Sequence, residues 1–212
     1  RDGQPQMLID CGADTLPRYM DTYGALPPAL FITHVHMDQV GGLEYLFSRL
    51  CFDAPRPAPT RLIAHAALLP LLQGRVADYP GVAAEGGINF WDAFRLLPCS
   101  RGFWLGGLWF EVFASRHHRP DTSFGLALPG SFVWTGDTRP IPEMLAAHAH
   151  RDELIAHDCA LHGNPSHSGI DDLEREYPVS LRQRLLACHY ASAADAEVLE
   201  SRGVRVAQPG QH

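Results

Sequence analysis

Apolar runs that stop on a histidine or an aspartate constrain this chain more than any other feature. "ALFITHVH" delivers His34 and His36, "WFEVFASRHH" delivers His117 and His118, "FVWTGD" ends on Asp137, and "LLACH" ends on His189. Each run is short and rich in β-branched, aromatic or aliphatic residues, the composition of a strand. Rigid strand ends are where folds carry their site residues. Singly, Asp137 fits a turn and His189 a core position. Four strand ends delivering His and Asp together are hard to explain by packing, and they point to one shared site.

The remaining pattern sets the architecture. "QMLIDCGA" (6–13) reads as a strand closed by Gly12, and "ALFITH" (29–34) as a second strand. "DQVGGLEYLFSRL" (38–50) predicts one helix, with Val40, Leu43, Leu46, Phe47 and Leu50 near one face. Asp38 sits at its N-terminus, where a carboxylate suits the unpaired N–H groups. A Pro-rich loop (51–61) leads to a short strand at "LIAH" and a helix over "AALLPLLQGRV" bent at Pro70. Residues 74–100 are weakly patterned, with one short helix at "FWDAF", and residues 80–100 are expected to shape the substrate entrance. Two strands follow in "GFWLGGLWFEVFASRHH", then others in "TSFGLAL" and "SFVWTGD". From there "ELIAHD", "LLACHY" and "VRVAQPG" alternate with helices over "PIPEMLAAHAH", "DDLEREY", "SLRQRL" and "SAADAEVLESRG". Local pairing first and alternation with helices later predicts an α+β chain, with two packed β-sheets and helices on the outer faces. Residues 1–212 read as a single domain.

Charge and cysteine usage narrow the partners. The formal net charge is -7, from 24 acidic and 17 basic residues, so the surface repels long phosphate backbones and disfavours a nucleic-acid partner. A small anionic substrate is compatible, because a bound cation reverses the local field. Apolar runs are too short to span a bilayer, so no membrane partner is expected. The five cysteines are scattered, odd in number and without C-x-x-C spacing, which predicts reduced thiols in a cytoplasmic protein.

Alternate residues of a strand point the same way, so His34 and His36 share a side that Asp38 can reach from the following turn. Two imidazoles and a carboxylate suit zinc, manganese or iron. The adjoining Gly41–Gly42 pair and the strand-to-helix context strengthen that reading. Gln39 follows as the odd residue: a glutamine offers a neutral oxygen, a poorer transition-metal ligand than imidazole.

The ordered set "THVHMD", "GGL", "SRHH…SFGLAL", "VWTGDT", "LIAHD" and "CHYAS" resembles the metallo-β-lactamase superfamily, nearest its ribonuclease Z-like and small phosphodiesterase branches. The resemblance runs from about Leu8 to the C-terminus. It implies an αββα sandwich built of two mixed sheets, with one or two divalent metal ions at one edge. It assigns His34 and His36 to the first ion, Asp38 and His189 to the second, and Asp137 as the bridge. The last ligand of the first ion is His117 or His118; the approach from the strand favours His117, and spacing back from "SFG" favours His118. Gln39 stands where that superfamily has a further histidine, so the second site is expected to be weak or to prefer manganese, iron or magnesium, with zinc at the first. The chain also begins at a strand that an earlier hairpin precedes in that superfamily, so its first strands are expected to be missing.

The resemblance also implies catalysis by Asp38, Asp137 and His167, with a metal-activated water as nucleophile. His167 is placed near the scissile phosphate, and His157 and Asp158 are expected to support the ligands from behind. Cleavage of a small phosphodiester, such as a cyclic nucleotide or cyclic phosphate, is the expected activity. Processing of tRNA 3′ ends, hydrolysis of a lactone or thioester, and a non-catalytic metal-binding module are the rival readings. A homodimer is compatible with the resemblance.

Overall fold

A computed structural model of the chain describes residues 3–53, 55, 57–77, 88–208 and 210. It contains two compact units, Arg1–Ser100 and Arg101–His212. Of the expected entrance segment 80–100, residues 80–87 lie outside the described residues.

The first unit is built on a four-stranded sheet: β1 (Leu8–Ile9), β2 (Ala29–Ile32), β3 (Thr60–His65) and β4 (Phe94–Cys99), in that order. Every pairing in it is parallel, so each strand must be reached by a crossover rather than a hairpin. Helix α1 (Thr15–Tyr23) connects β1 to β2, and α2 (Met37–Val40) with α3 (Leu43–Phe52) connects β2 to β3. A 3-10 turn (Ala66–Leu68) and α4 (Leu69–Val76) follow β3. All four residues of β2 are buried, as expected of a strand covered on both faces. Leu30, Ile32, Leu62 and Ala64 from the strands pack with Leu16, Leu43, Leu46, Phe47, Leu50 and Leu72 from the helices. Each such leucine or isoleucine contributes about 1.5–3 kcal/mol of burial.

The second unit carries a seven-stranded mixed sheet. A meander of β5 (Gly102–Leu105), β6 (Leu108–Ala114), β7 (Phe124–Leu128) and β8 (Phe132–Trp134) is antiparallel. Beyond it β9 (Leu154–Asp158), β10 (Leu185–Cys188) and β11 (Arg205–Val206) add in parallel. The parallel strands are joined by α5 (Pro142–His148), by α6 (Ile170–Glu176) with α7 (Val179–Arg182), and by α8 (Ala193–Ser201). Val133, Ile155, Leu185 and Ala187 pack with Leu145, Ile170, Leu173 and Leu199. No helix of the described residues is long and apolar enough to cross a membrane, and all five cysteines are free.

Several expectations change on contact with the structure. Local pairing does not come first; among the described residues hairpins are confined to the meander of the second unit, and the first unit is parallel throughout its described strands. Helix α1 and strand β4 are elements that the sequence pattern does not predict. The helix expected over 38–50 is two helices, broken at Gly41–Gly42. The break has a physical cause: the Gly42 N–H leaves the helical pattern and donates to the Cys11 carbonyl at 2.8 Å, while the Cys11 N–H donates to the Gln39 carbonyl at 2.6 Å. Pro70 does not bend a helix; it occupies the first turn of α4, where its missing N–H costs nothing.

That backbone clasp requires glycine. A Cβ on Gly12 would overlap the Asp38 carbonyl oxygen, and one on Gly42 would lie 2.6 Å from the Gly12 carbonyl oxygen. Both obstacles are backbone atoms that cannot rotate away. Gly12→Ala is therefore expected to cost about 1–3 kcal/mol, read as a lower urea midpoint with an unchanged slope. A midpoint equal to wild type would show that the loops separate without penalty.

Candidate metal centre

In the first unit β2 stops at Ile32, and the chain runs on through Thr33 and His34 to His36, the residue that caps α2. Asp10, one residue past β1, sits in the left-handed region (φ 59°) and is buried. One of its oxygens accepts from the Thr33 N–H and the other from the Thr33 hydroxyl, both at 2.8 Å. The Thr33 proton is thereby committed to Asp10, so the same hydroxyl oxygen accepts from His34 Nδ1–H at 3.0 Å. The relay fixes the tautomer of His34 and assigns its Nε2 as the lone-pair nitrogen. That Nε2 lies 3.2 Å from Nδ1 of His36, so the two rings converge through nitrogen atoms able to share an ion.

Asp38 is exposed in the first turn of α2, and Gln39 Nε2 donates to its Oδ2 at 2.7 Å. The glutamine amide thus steadies the aspartate. Neither Asp10 nor Thr33 was singled out from sequence. The signal was present in "LID", an apolar run ending on aspartate like those at Asp137 and Asp158.

In the second unit four strand ends meet. His117 follows β6 and is buried; its Nδ1–H donates to the Ser166 carbonyl at 2.9 Å, and its Nε2 lies 3.8 Å from Asp137 Oδ2. His118 is exposed in the left-handed region (φ 54°), with Nδ1 3.2 Å from Ser166 Oγ. His117 is therefore the member of the pair whose geometry suits a buried ligand. Asp137 ends the Thr135–Gly136–Asp137 turn after β8 and is 5% exposed. His189 follows β10, again at positive φ (62°), with Nε2 3.6 Å from Asp137 Oδ2 and Nδ1 3.8 Å from Asp158 Oδ1. Left-handed backbone at a non-glycine residue costs of order 1 kcal/mol and clusters at functional sites. Three of the four such residues described, Asp10, His118 and His189, lie at these strand ends.

Asp158 joins this group directly. It ends β9 at 2% exposure, and its Oδ2 accepts from the Thr138 N–H at 2.9 Å and from His167 Nδ1 at 2.8 Å. The His167 ring stacks on that of His189 with centroids 5.0 Å apart. His157 behaves differently. Its ring is enclosed between the Asp158 carbonyl and the Tyr177 hydroxyl, at 2.7 and 2.8 Å, and burial holds its pKa below the ordinary value. It is a neutral packing histidine, so the expected His157–Asp158 pair divides into one core residue and one site residue.

Asp137, Asp158, His167 and His189 place ligand atoms within 4.8 Å of one another. Two carboxylates buried this close repel unless a proton or a cation intervenes. Asp158 Oδ1 is buried without a hydrogen-bond partner among the described residues, in a group whose other members are imidazoles and a carboxylate. A buried acceptor left without a donor costs about 1–3 kcal/mol. The donor set and the orphaned oxygen both fit a divalent transition metal.

Comparison with known proteins bears on family and fold. A family model described as anti-Pycsar protein Apyc1 matches residues 1–212. The anti-Pycsar protein Apyc1 of Paenibacillus harenae is 27% identical over 213 residues, covering 96% of this chain and 86% of the relative. Among solved structures, a diphosphatase from the PhnP family superposes with a TM-score of 0.71 at 18% identity, covering 97% of this chain and 78% of that one. The metallo-β-lactamase fold protein YhfI from Bacillus subtilis gives 0.72 at 15%, covering 100% and 88%. Zinc-bound PqqB from Methylobacterium extorquens gives 0.70 at 15%, covering 99% and 83%. The chain has the metallo-β-lactamase fold.

The Asp10–Thr33–His34 relay makes a specific prediction. Thr33→Val should cost about 1–3 kcal/mol, because it leaves a buried carboxylate oxygen without its donor. It should also release the His34 tautomer, seen as a change in the imidazole nitrogen chemical shifts. Unchanged stability and an unchanged tautomer would remove the relay from the account.

Proposed function

Because the chain belongs to the anti-Pycsar protein Apyc1 family, we propose that it is a metal-dependent hydrolase that cleaves a small phosphodiester, with a cyclic nucleotide as the leading substrate class. The observation that carries the proposal is the His/Asp group of the second unit, with its two carboxylates buried and Asp158 Oδ1 lacking a donor among the described residues. The name of the relatives is consistent with degradation of a cyclic nucleotide, and the similar structures include a diphosphatase. The net charge of -7 supports a small substrate over a long nucleic acid.

In this reading His34, His36, Asp38 and Gln39 would be ligands of divalent metal ions in the first unit, and His117, Asp137, Asp158 and His189 those in the second. When bound, such ions supply Lewis acidity toward a phosphoryl oxygen and lower the pKa of water. Zinc at the first site is in keeping with zinc-bound PqqB. The chain's own residues set the geometry. Thr33 and Asp10 hold the His34 tautomer; Ser166 holds that of His117 through its carbonyl. Asp158 holds Nδ1 of His167 at 2.8 Å, which leaves Nε2 as the atom that would move a proton to the leaving oxygen. Asp158 also lies beside His189, so one carboxylate steadies both the proton carrier and a ligand.

Purified protein with divalent metal is expected to hydrolyse cyclic nucleotides and a chromogenic phosphodiester, and Asp137→Asn should lower kcat/KM by ~100-fold or more. Turnover of a lactone or thioester, with phosphodiesters left untouched, would overturn the substrate class. No turnover of any of these by a metal-loaded protein would identify a binding module instead. Gln39→His is expected to tighten metal retention against a chelator, since imidazole replaces an amide. Unchanged retention would place Gln39 outside the ligand set.

A further inference from the structure

The first unit has a second polar feature at the far end of its sheet. Strands β2, β3 and β4 run parallel, so their N-terminal ends share one edge, and His34 follows the opposite, C-terminal end of β2. Arg61 and Arg95 are the second residues of β3 and β4 and stand in register with each other. Like charges directly opposite one another destabilise a sheet, and the usual remedy is a neighbouring carboxylate. Among the described residues neither guanidinium has a hydrogen-bond or ion-pair partner.

Both side chains line a cavity of about 630 Å³, a volume that suits a small organic ligand. Its other walls include Met20, Leu26, Pro27 and Pro59. The cavity's third arginine, Arg49, is already engaged with Asp53 at 2.6 Å and lies over the Tyr45 ring. Counting these four charged groups, Arg49 and Asp53 cancel, and Arg61 and Arg95 leave an excess of two positive charges in a chain whose net charge is -7. The planar, multi-donor guanidinium matches phosphate oxygens better than any other side chain.

We propose that this cavity binds a phosphate-bearing small molecule, its phosphate held between Arg61 and Arg95 and its organic part against Met20, Leu26, Pro27 and Pro59. The ligand is either inorganic phosphate or a phosphomonoester, and the apolar wall separates the two: it adds affinity only to a ligand with an organic part. The site is separate from the His34–His36 pair and does not depend on the proposed activity.

Calorimetric titration tests it, with inorganic phosphate and a nucleoside 5′-monophosphate as probes. Wild type and His34→Ala/His36→Ala should share a binding event that Arg61→Leu/Arg95→Leu weakens at least ~10-fold. In phosphate-free buffer the arginine double variant should melt at or above wild type, because a like-charge pair has been removed. The single variants Arg61→Gln and Arg95→Gln, each weakened in the same direction, carry the test if the double variant does not fold. Tighter binding of the nucleotide assigns the apolar wall to the ligand; equal binding assigns the site to phosphate alone. The proposal fails if neither probe binds wild type, if the arginine variants bind both probes unchanged, or if only the histidine variant loses binding.

Discussion

A carboxylate buried at the end of a strand must find donors or a cation, because an uncompensated charge in a protein interior costs several kcal/mol. Asp10, Asp137 and Asp158 all occupy that position, each at 6% exposure or less. Asp10 resolves it within the protein: two donors from Thr33 saturate its oxygens, and the hydroxyl passes the order on to His34. Asp158 resolves it by half. Its Oδ2 has the Thr138 N–H and His167, while its Oδ1 faces His189 without a hydrogen bond. A satisfied carboxylate such as Asp10 can only position its neighbours, whereas a half-satisfied one such as Asp158 keeps an oxygen that fits a cation.

The strand ends were legible because an apolar run terminated by His or Asp is a local signal. His34, His36, His117, Asp137 and His189 all sit where their runs stop. The clasp between the Cys11–Gly12 loop and the Gln39–Gly42 segment was not legible, because it joins backbone atoms about thirty residues apart. The same long-range pairing broke the helix that periodicity predicted over 38–50. Strand β4 is not legible in sequence because "FRLLPC" carries a proline near its end and no strict alternation. Its partner β3 supplies the pairing that its own sequence does not advertise. Asp158 was readable as a polar strand end, yet its pairing with His167 depends on the turn at Asn164–His167 bringing that ring back.

Fold and chemistry connect through parallel strands. In each unit the C-terminal ends of such strands release the chain into turns, where polar side chains escape the core without leaving the rigid sheet. β2 does this for Thr33 and His34, β9 for Asp158 and β10 for His189. The cost appears as left-handed backbone at Asp10 and His189, balanced by the apolar burial on either side. The fold is shared with a diphosphatase and with zinc-bound PqqB; reaction type has to be argued from the side chains at these ends.

The central claim is that these side chains form metal sites, and elemental analysis of the purified protein tests it most directly. The account predicts at least one equivalent of a transition metal per chain, lost on Asp158→Ala/His189→Ala or on His34→Ala/His36→Ala in folded protein. Wild-type protein that retains no metal after purification and takes up none on titration with zinc or manganese would contradict it.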